Sequence, residues 1–549
     1  MPLRRAAYPT GPIFAGFATT CLAFALATAL PAAPAAATPT KPLTATPQPA
    51  AEVNLRTFGA IGDGQPHPVS EWIAAGKYKN LRTLQRDYPF VDSLEWSADE
   101  AAFQRALREL PPEGGTVRIP PGRYIATTYG WRIGRDHVRL VGAGMRDTVL
   151  STGPQLGEGL VLAPYRHVGW LQGADHECPF APDSGTSGSD RIRLREPARA
   201  ADFQPGELVF IRNGACRFDQ DYGEFNEIAA TTPDGDLVLS HPLARDYTLA
   251  ALNWAGETAE PFELPKPGRS VAVRLRTGEG YFELPKSGVV TVGDAFLEIV
   301  RREGDTVGFR NPGRANPAPG TLLPAGTKIG RSRSVIKLTR TTRDFHAQGL
   351  RIVGRRKALN LSNSYQSTFV DCDFVRQPDA TVQGGLTIDG DGGRFAEFRR
   401  CTIRGSVPCG MQFARSFGNV TFTDCTFAGT NVVFSEFCFA GVVERCALAV
   451  PAVLGRAVIV GRSCGDLRIE DNQIVISGGA LTVFDAPCDI QSHKHDAPGR
   501  LVLRNNRITA PASPRSRVFL LRSDRPADIS GNTLNGEPTE PPRATPAAP

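Results

Sequence analysis

Phe369-Val370-Asp371-Cys372-Asp373-Phe374, Phe398-Arg399-Arg400-Cys401-Thr402-Ile403 and Phe422-Thr423-Asp424-Cys425-Thr426-Phe427 are one pattern met three times: an apolar residue, two others, a cysteine, and an apolar residue two places on. With Asn or Gln admitted at the cysteine position it occurs eight times, at Gln348, Cys372, Cys401, Cys425, Cys446, Asn472, Asn506 and Asn532. Successive steps are 24, 29, 24, 21, 26, 34 and 26 residues, a period at which self-similarity means a solenoid. A second apolar row, Leu361, Ile388, Phe413, Phe434, Val460, Val483 and Leu521, runs 11, 13, 12, 12, 12, 23 and 11 residues ahead of its ladder position, so each repeat is expected to carry two strands.

These segments are too short for helices, are rich in Val, Ile, Phe and Thr, and alternate inward with outward positions. Strands recurring in one direction at this spacing satisfy their backbone by stacking on the next coil, as in a parallel β-helix. Apolar residues three before and two after the ladder position break the two-residue alternation, so the chain must bend there. Asn tolerates a left-handed bend, and its amide can donate to the same amide one coil away. Cys fills the same small inward slot.

The chain opens with Arg4 and Arg5, an apolar run from Ile13 to Leu30 and Ala35-Ala36-Ala37, which predicts a signal peptide over 1–37, with a retained membrane anchor as the alternative. A linker over 38–51 follows, and a Pro-rich, disordered tail is expected over 537–549. Beyond residue 37 there are 60 basic and 56 acidic residues, a charge too mild to argue for nucleic acid. The mature chain is expected to be secreted or periplasmic, with no membrane insertion. Ten of the eleven cysteines survive cleavage in a compartment that permits disulfides. Cys438, Cys464 and Cys488 form a further row, and stacked free thiols and disulfides are both open readings.

Val53-Asn54-Leu55-Arg56-Thr57-Phe58-Gly59-Ala60-Ile61-Gly62-Asp63-Gly64 and Gly114-Gly115-Thr116-Val117-Arg118-Ile119-Pro120-Pro121-Gly122-Arg123-Tyr124 together resemble the opening of the pectate-lyase-like family, which includes rhamnogalacturonase-type and epimerase-type β-helices. The resemblance implies an all-β, right-handed parallel β-helix with an N-terminal capping helix. That helix is expected after Ser97, with Glu100 completing a capping box and Phe103, Ala106, Leu107 and Leu110 on one face. Residues 65–96 are either a lid or an ordered loop. The expected organisation is a cap with first coils over 52–165, an inserted β-rich region over 166–344 and main coils over 345–536.

A turn position just after the second row holds Asn363, Gly390, Arg415, Glu436, Arg462, Asp485 and Ser523, with Asp389 and Asp391 beside Gly390. Acids two coils apart in one column would be ~9.6 Å apart, near the upper limit for inverting glycosidases of ~9.5 Å. Glu436, Asp485 and Asp389 are therefore candidate catalytic acids, and Arg415, Arg462 and Asp391 candidate contacts to substrate. A longer loop after Asp485 adds His493, Lys494 and His495. Arginine and lysine would neutralise an acidic sugar while an acid or histidine moves protons. Alternating acid and Arg equally describes a salt-bridge ladder.

The polygalacturonase-type Asn-Thr-Asp, Asp-Asp and Gly-His-Gly signatures are absent. No cofactor or metal set is assigned, and calcium is the one metal left open. The expectation is a lyase or glycoside hydrolase acting on a polysaccharide, an acidic glycan, with a non-catalytic glycan-binding or envelope-structural β-helix or a tailspike-like adhesin as the alternatives.

Overall fold

The computed structural model describes residues 51–162, 177–179, 184–194, 197–213, 223–244, 247, 255–277, 284, 288–313, 316–330, 336–362, 364–377, 386–391, 393–405, 410–414, 418–434, 438–451, 459–460, 464–477, 482–486, 500–511, 517–521 and 527–539. The signal segment, the first linker and most of the tail lie outside them. Among the described residues no helix is long and apolar enough to cross a membrane.

Three sheets of eleven, eleven and nine strands stack into a right-handed parallel β-helix. Each full coil gives one strand to each sheet. Coil 1 is Gly115–Ile119, Gly122–Ala126 and Trp131–Ile133; coil 2 is Val138–Gly142, Thr148–Thr152 and Glu158–Leu162. Coil 3 is Thr342–Gln348, Arg351–Gly354 and Lys357–Asn360, and coil 4 is Ser364–Val370, Asp373–Arg376 and Ile388–Asp391. Coils 5 to 9 follow in the same way, ending with Leu501–Arg504, Arg507–Thr509 and Arg517–Leu521. The repeat therefore has three strands, not two. The run read as a single strand around each ladder residue is two, because the chain turns there from the first sheet into the second.

The turn also corrects which residue is left-handed. Gly349, Asp371, Arg400, Asp424, Arg445, Asp471, Asn505 and Gly531 have φ between 50° and 65°, and each directly precedes the ladder position. In coil 3 Gln348 lies opposite Val370 in the strand register, so the ladder residue there is Leu350 rather than Gln348. The αL residue reverses the side-chain alternation, which lets the residues three before and two after both face inward. Phe369, Phe398 and Phe422 stack at centroid distances of 4.8 and 4.6 Å. All three are fully buried, each stabilising the fold by roughly 1.5 to 3 kcal/mol.

Cysteine and asparagine share the ladder because both donate to the same place. Cys401 Sγ lies 3.4 Å from the Phe369 carbonyl, Cys425 Sγ 3.4 Å from that of Phe398, and Cys446 Sγ 3.6 Å from that of Phe422. Asn472, Asn506 and Asn532 donate through Nδ2 to the carbonyls of Val443, Ile469 and Leu503 at 2.8 to 2.9 Å. In every case the acceptor belongs to the residue three before the ladder position of the preceding coil. The asparagines also link directly, Asn472 Nδ2 to Asn506 Oδ1 at 2.9 Å and Asn506 Nδ2 to Asn532 Oδ1 at 2.8 Å. Cys372, Cys401, Cys425 and Cys446 are buried free thiols, and burial pushes Cys401 well above the usual thiol range.

The insertion interrupts the chain without interrupting the stack. Leu140 pairs with Ala347, Leu150 with Ile352 and Leu160 with Leu359, so coil 2 lies directly on coil 3. Coil 3 opens at Thr342, slightly before the expected Phe345. Between the two coils, a six-stranded sheet runs in the spatial order Glu177–Pro179, Ile336–Arg340, Leu208–Asn213, Gly223–Thr231, Asp236–Leu239 and Arg191–Arg193. Nested within it, residues 256–330 form a closed six-stranded barrel. Sheet and barrel each have an apolar core of their own.

Helix Ala98–Glu109 closes the first coil with Phe103, Ala106 and Leu107 fully buried. Ser97 caps it, its Oγ accepting the Glu100 N–H at 3.2 Å. The Glu100 carboxylate does not return to complete a capping box. It accepts the backbone N–H groups of Thr127, Thr128 and Tyr129 at 2.9, 2.9 and 2.6 Å. Asp99 accepts those of Ile61, Gly62 and Ile125 in the same way. Two consecutive acids thus staple the cap to backbone N–H groups of the first coil and its flanking loops. Residues 65–96 form two short helices around Trp72, Tyr88, Phe90 and Trp96, an ordered subdomain.

Burial pushes the Glu100 carboxyl up to about 7, against the backbone N–H groups that favour its charge. The folded state therefore holds this proton more tightly than the unfolded chain. Its contribution is full below the unfolded value of about 4.3 and is lost as pH rises through about 7. The wild-type unfolding midpoint should fall between pH 5.5 and 8 by more than that of Glu100→Gln. Equal falls would show that Glu100 does not titrate in this range.

Candidate functional site

The third-sheet strands are short, and their register corrects the predicted column. Ile388, Met411, Val432, Ile459, Phe484 and Phe519 form one row; Gly390 pairs with Phe413, which pairs with Phe434. Only Ile388 of the expected apolar row belongs to the first of these. Asp485 lies opposite Val460, and one coil earlier the same row is at Val433, three residues before Glu436 in the chain. Asp485 shares its row instead with Asp389, through Gln412, Val433 and Val460. The two aspartates are four coils apart, ~19 Å along the stack.

Asp389 is where described side chains of three coils meet. Lys357 Nζ lies 2.6 Å from Asp389 Oδ2 and 3.2 Å from Glu158 Oε1, and Asn360 Nδ2 donates to Glu158 Oε1 at 3.1 Å. The register accounts for this, since Lys357 lies beside Glu158 and Asn360 beside Asp389 on adjacent coils. Asn360 Oδ1 accepts from the N–H and Oγ of Ser362 at 3.0 and 2.6 Å, which fixes its amide. Lys357, Asp389 and Glu158 keep 22%, 21% and 29% of their side-chain surface exposed, so solvent screens the pairs only in part. Burial alone disfavours the Lys357 ammonium, yet Asp389 and then Glu158 outweigh it and hold its pKa above that of an ordinary lysine. The cluster thus presents two carboxylates and a permanent cation at one half-buried point.

Of the sequence-predicted residues, Asp389 is in this cluster, while Asp391 and Asp485 are placed on third-sheet strands by their backbones. Arg415, Glu436, Arg462, His493, Lys494 and His495 lie outside the described residues. Glu158, Lys357 and Asn360 were not singled out from sequence. Among the described residues no three His, Cys, Asp or Glu side chains converge as a metal ion would require.

Past the corner from third to first sheet, the inserted sheet touches the helix. The Phe225 ring lies 5.1 Å from that of Tyr365, Tyr365 lies 5.2 Å and edge-on to Phe395, and the Arg394 guanidinium sits 5.6 Å from the Phe225 centroid. Burial, opposed by Arg394, raises the Tyr365 pKa.

Three stacked parallel sheets entered by a short strand and closed by a helix are the right-handed parallel β-helix fold that the motifs around Gly59 and Gly115 imply. No family model and no curated protein matches the chain. Among solved structures, the tailspike gp61 of Pseudomonas phage phi297 is 15% identical over 89% of this chain and 76% of its own, with a TM-score of 0.37. The tailspike gp49 of Pseudomonas phage LKA1 is 14% identical over 88% and 76%, with a TM-score of 0.38. The A-module of the Azotobacter vinelandii mannuronan C-5 epimerase AlgE4 is 13% identical over 90% of this chain and 100% of its own, with a TM-score of 0.35. The fold assignment stands on the strand pairing and not on these distant similarities.

Proposed function

We propose that this is an exported β-helix protein that acts on an acidic polysaccharide, as a lyase or glycoside hydrolase, along the outer face of its third sheet. The observation that carries the reading is the Lys357 ammonium held between Asp389 and Glu158. A cation fixed at that point can neutralise a sugar carboxylate while one of the two acids accepts or donates a proton. Asp391, Asp485 and Glu436, with Arg415, Arg462, His493, Lys494 and His495, would extend contacts to further sugars along the same face. The second reading, a non-catalytic glycan-binding, envelope-structural or adhesin role, is favoured by the completeness of the Glu158–Lys357–Asp389 bridge, which has the form of a cross-coil salt-bridge ladder.

Purified mature protein incubated with polygalacturonate, alginate and hyaluronan, with and without calcium and with a chelator, separates these readings. An absorbance rise from unsaturated products identifies a lyase, and new reducing ends without it identify a hydrolase. Binding with neither product would leave the non-catalytic reading standing.

A further inference from the structure

A second left-handed column crosses the outer face of the first sheet, separate from the bend at the ladder. His137, Asp344, Gln366, Phe395 and Asn419, on coils 2 to 6, have φ between 51° and 57°. The register of the flanking residues sets each beside the next: Arg343 and Phe345 face Tyr365 and Ser367, Tyr365 and Ser367 face Arg394 and Ala396, and these face Gly418 and Val420. A bulky side chain at such φ is strained, whereas Asn and Asp tolerate it and glycine is free of strain. Glycine takes two of the eight ladder bends, Gly349 and Gly531, and none of these five positions. Phe395, a bulky side chain held at such φ, is therefore the position where the strain calls for a function.

His137 and Asp344 are accounted for by each other, Nδ1 to Oδ2 at 2.9 Å. Gln366 and Asn419 are half-buried, and their side chains make no hydrogen bond among the described residues. Between them stands Phe395, half-buried, with Tyr365 edge-on to its ring. Adjacent coils are ~4.8 Å apart, so two amides flank one aromatic ring at the spacing of a strand pair on either side. Arg394 precedes Phe395 in the chain and reaches toward Phe225 of the inserted sheet.

We infer that Gln366, Phe395 and Asn419 form a sugar subsite, with Arg394 as its anion contact and Phe225 with Tyr365 as its wall. A pyranose ring would pack its C–H face on Phe395, its hydroxyls would take hydrogen bonds from the two amides, and its carboxylate would pair with the guanidinium. The inserted sheet thereby acquires a role: it walls the track through Phe225. This inference rests on the acidic-glycan reading and adds where on the first sheet the chain is held.

Calorimetric titration with oligosaccharides of polygalacturonate, alginate and hyaluronan tests it, using whichever probe the wild type binds or cleaves. Asn419→Gly is expected to leave the unfolding midpoint little changed, because Asn tolerates this backbone, while weakening binding about fivefold, the loss of one hydrogen bond. Phe395→Gly should weaken binding about tenfold or more. Unchanged affinity in both variants would overturn the subsite and leave the proposed function intact. A wild type that neither binds nor cleaves any probe would overturn both.

Discussion

Asn506→Ala is expected to cost about 3 to 5 kcal/mol of folding free energy, the range in which a buried polar network loses its central member. The Asn506 side chain is fully buried and makes four hydrogen bonds. Its Nδ2 donates to the Ile469 carbonyl and to Asn532 Oδ1, and its Oδ1 accepts the backbone N–H and the amide of Asn472. Alanine removes all four bonds and leaves their partners unpaired inside the buried stack. Because each coil contacts only its neighbours, the loss should uncouple the last coils and broaden the transition. Asn506→Cys should recover part of the loss, since a thiol can donate to Ile469 as Cys401 does to Phe369. A urea unfolding series decides it. A shift under about 1 kcal/mol for Asn506→Ala would show that the amide ladder is incidental.

The ladder was legible in sequence because its environment admits few residue types. A small inward slot that must donate to a fixed carbonyl takes Cys or Asn, and the apolar residues around it are set by the bend. Gln348 was misplaced because in that coil an aliphatic residue, Leu350, fills the slot. The left-handed residue was assigned one position late, since Asp371, Arg400 and Arg445 carry no glycine-like signal and show their conformation only in the backbone. The third sheet was read out of register for a different reason. Met411 and Phe413 are both buried and two residues apart, so apolar pattern alone fits either alignment, and a shift moves every outward residue to a new row. Asp389 could be found because it lies near that row. Its partners could not, because Glu158 and Asn360 are 202 residues apart in the chain and meet only because coils 2 and 3 stack across the insertion.

Asp389→Asn is expected to reduce turnover on the cleaved glycan by about 10²-fold or more if Asp389 handles a proton, with folding little changed. The amide keeps the size of the carboxylate and can still accept from Lys357, but cannot act as a base. Glu158 stays 3.2 Å from Lys357, so the cation is not left without an ionic partner, and a partly exposed pair of this kind contributes about 1 kcal/mol or less. Lys357→Met has a different signature. Losing the cation should raise KM and weaken binding of the acidic chain before it lowers kcat, because the charge meets the substrate in its ground state as well as in the transition state. Asp485→Asn serves as the comparison: it removes the same charge from the same row four coils away and should affect long chains more than short ones. If the bridge is a ladder, all three variants keep full turnover and the midpoints of Asp389→Asn and Lys357→Met move together. That result would remove catalysis from this cluster and place the reacting groups elsewhere on the protein.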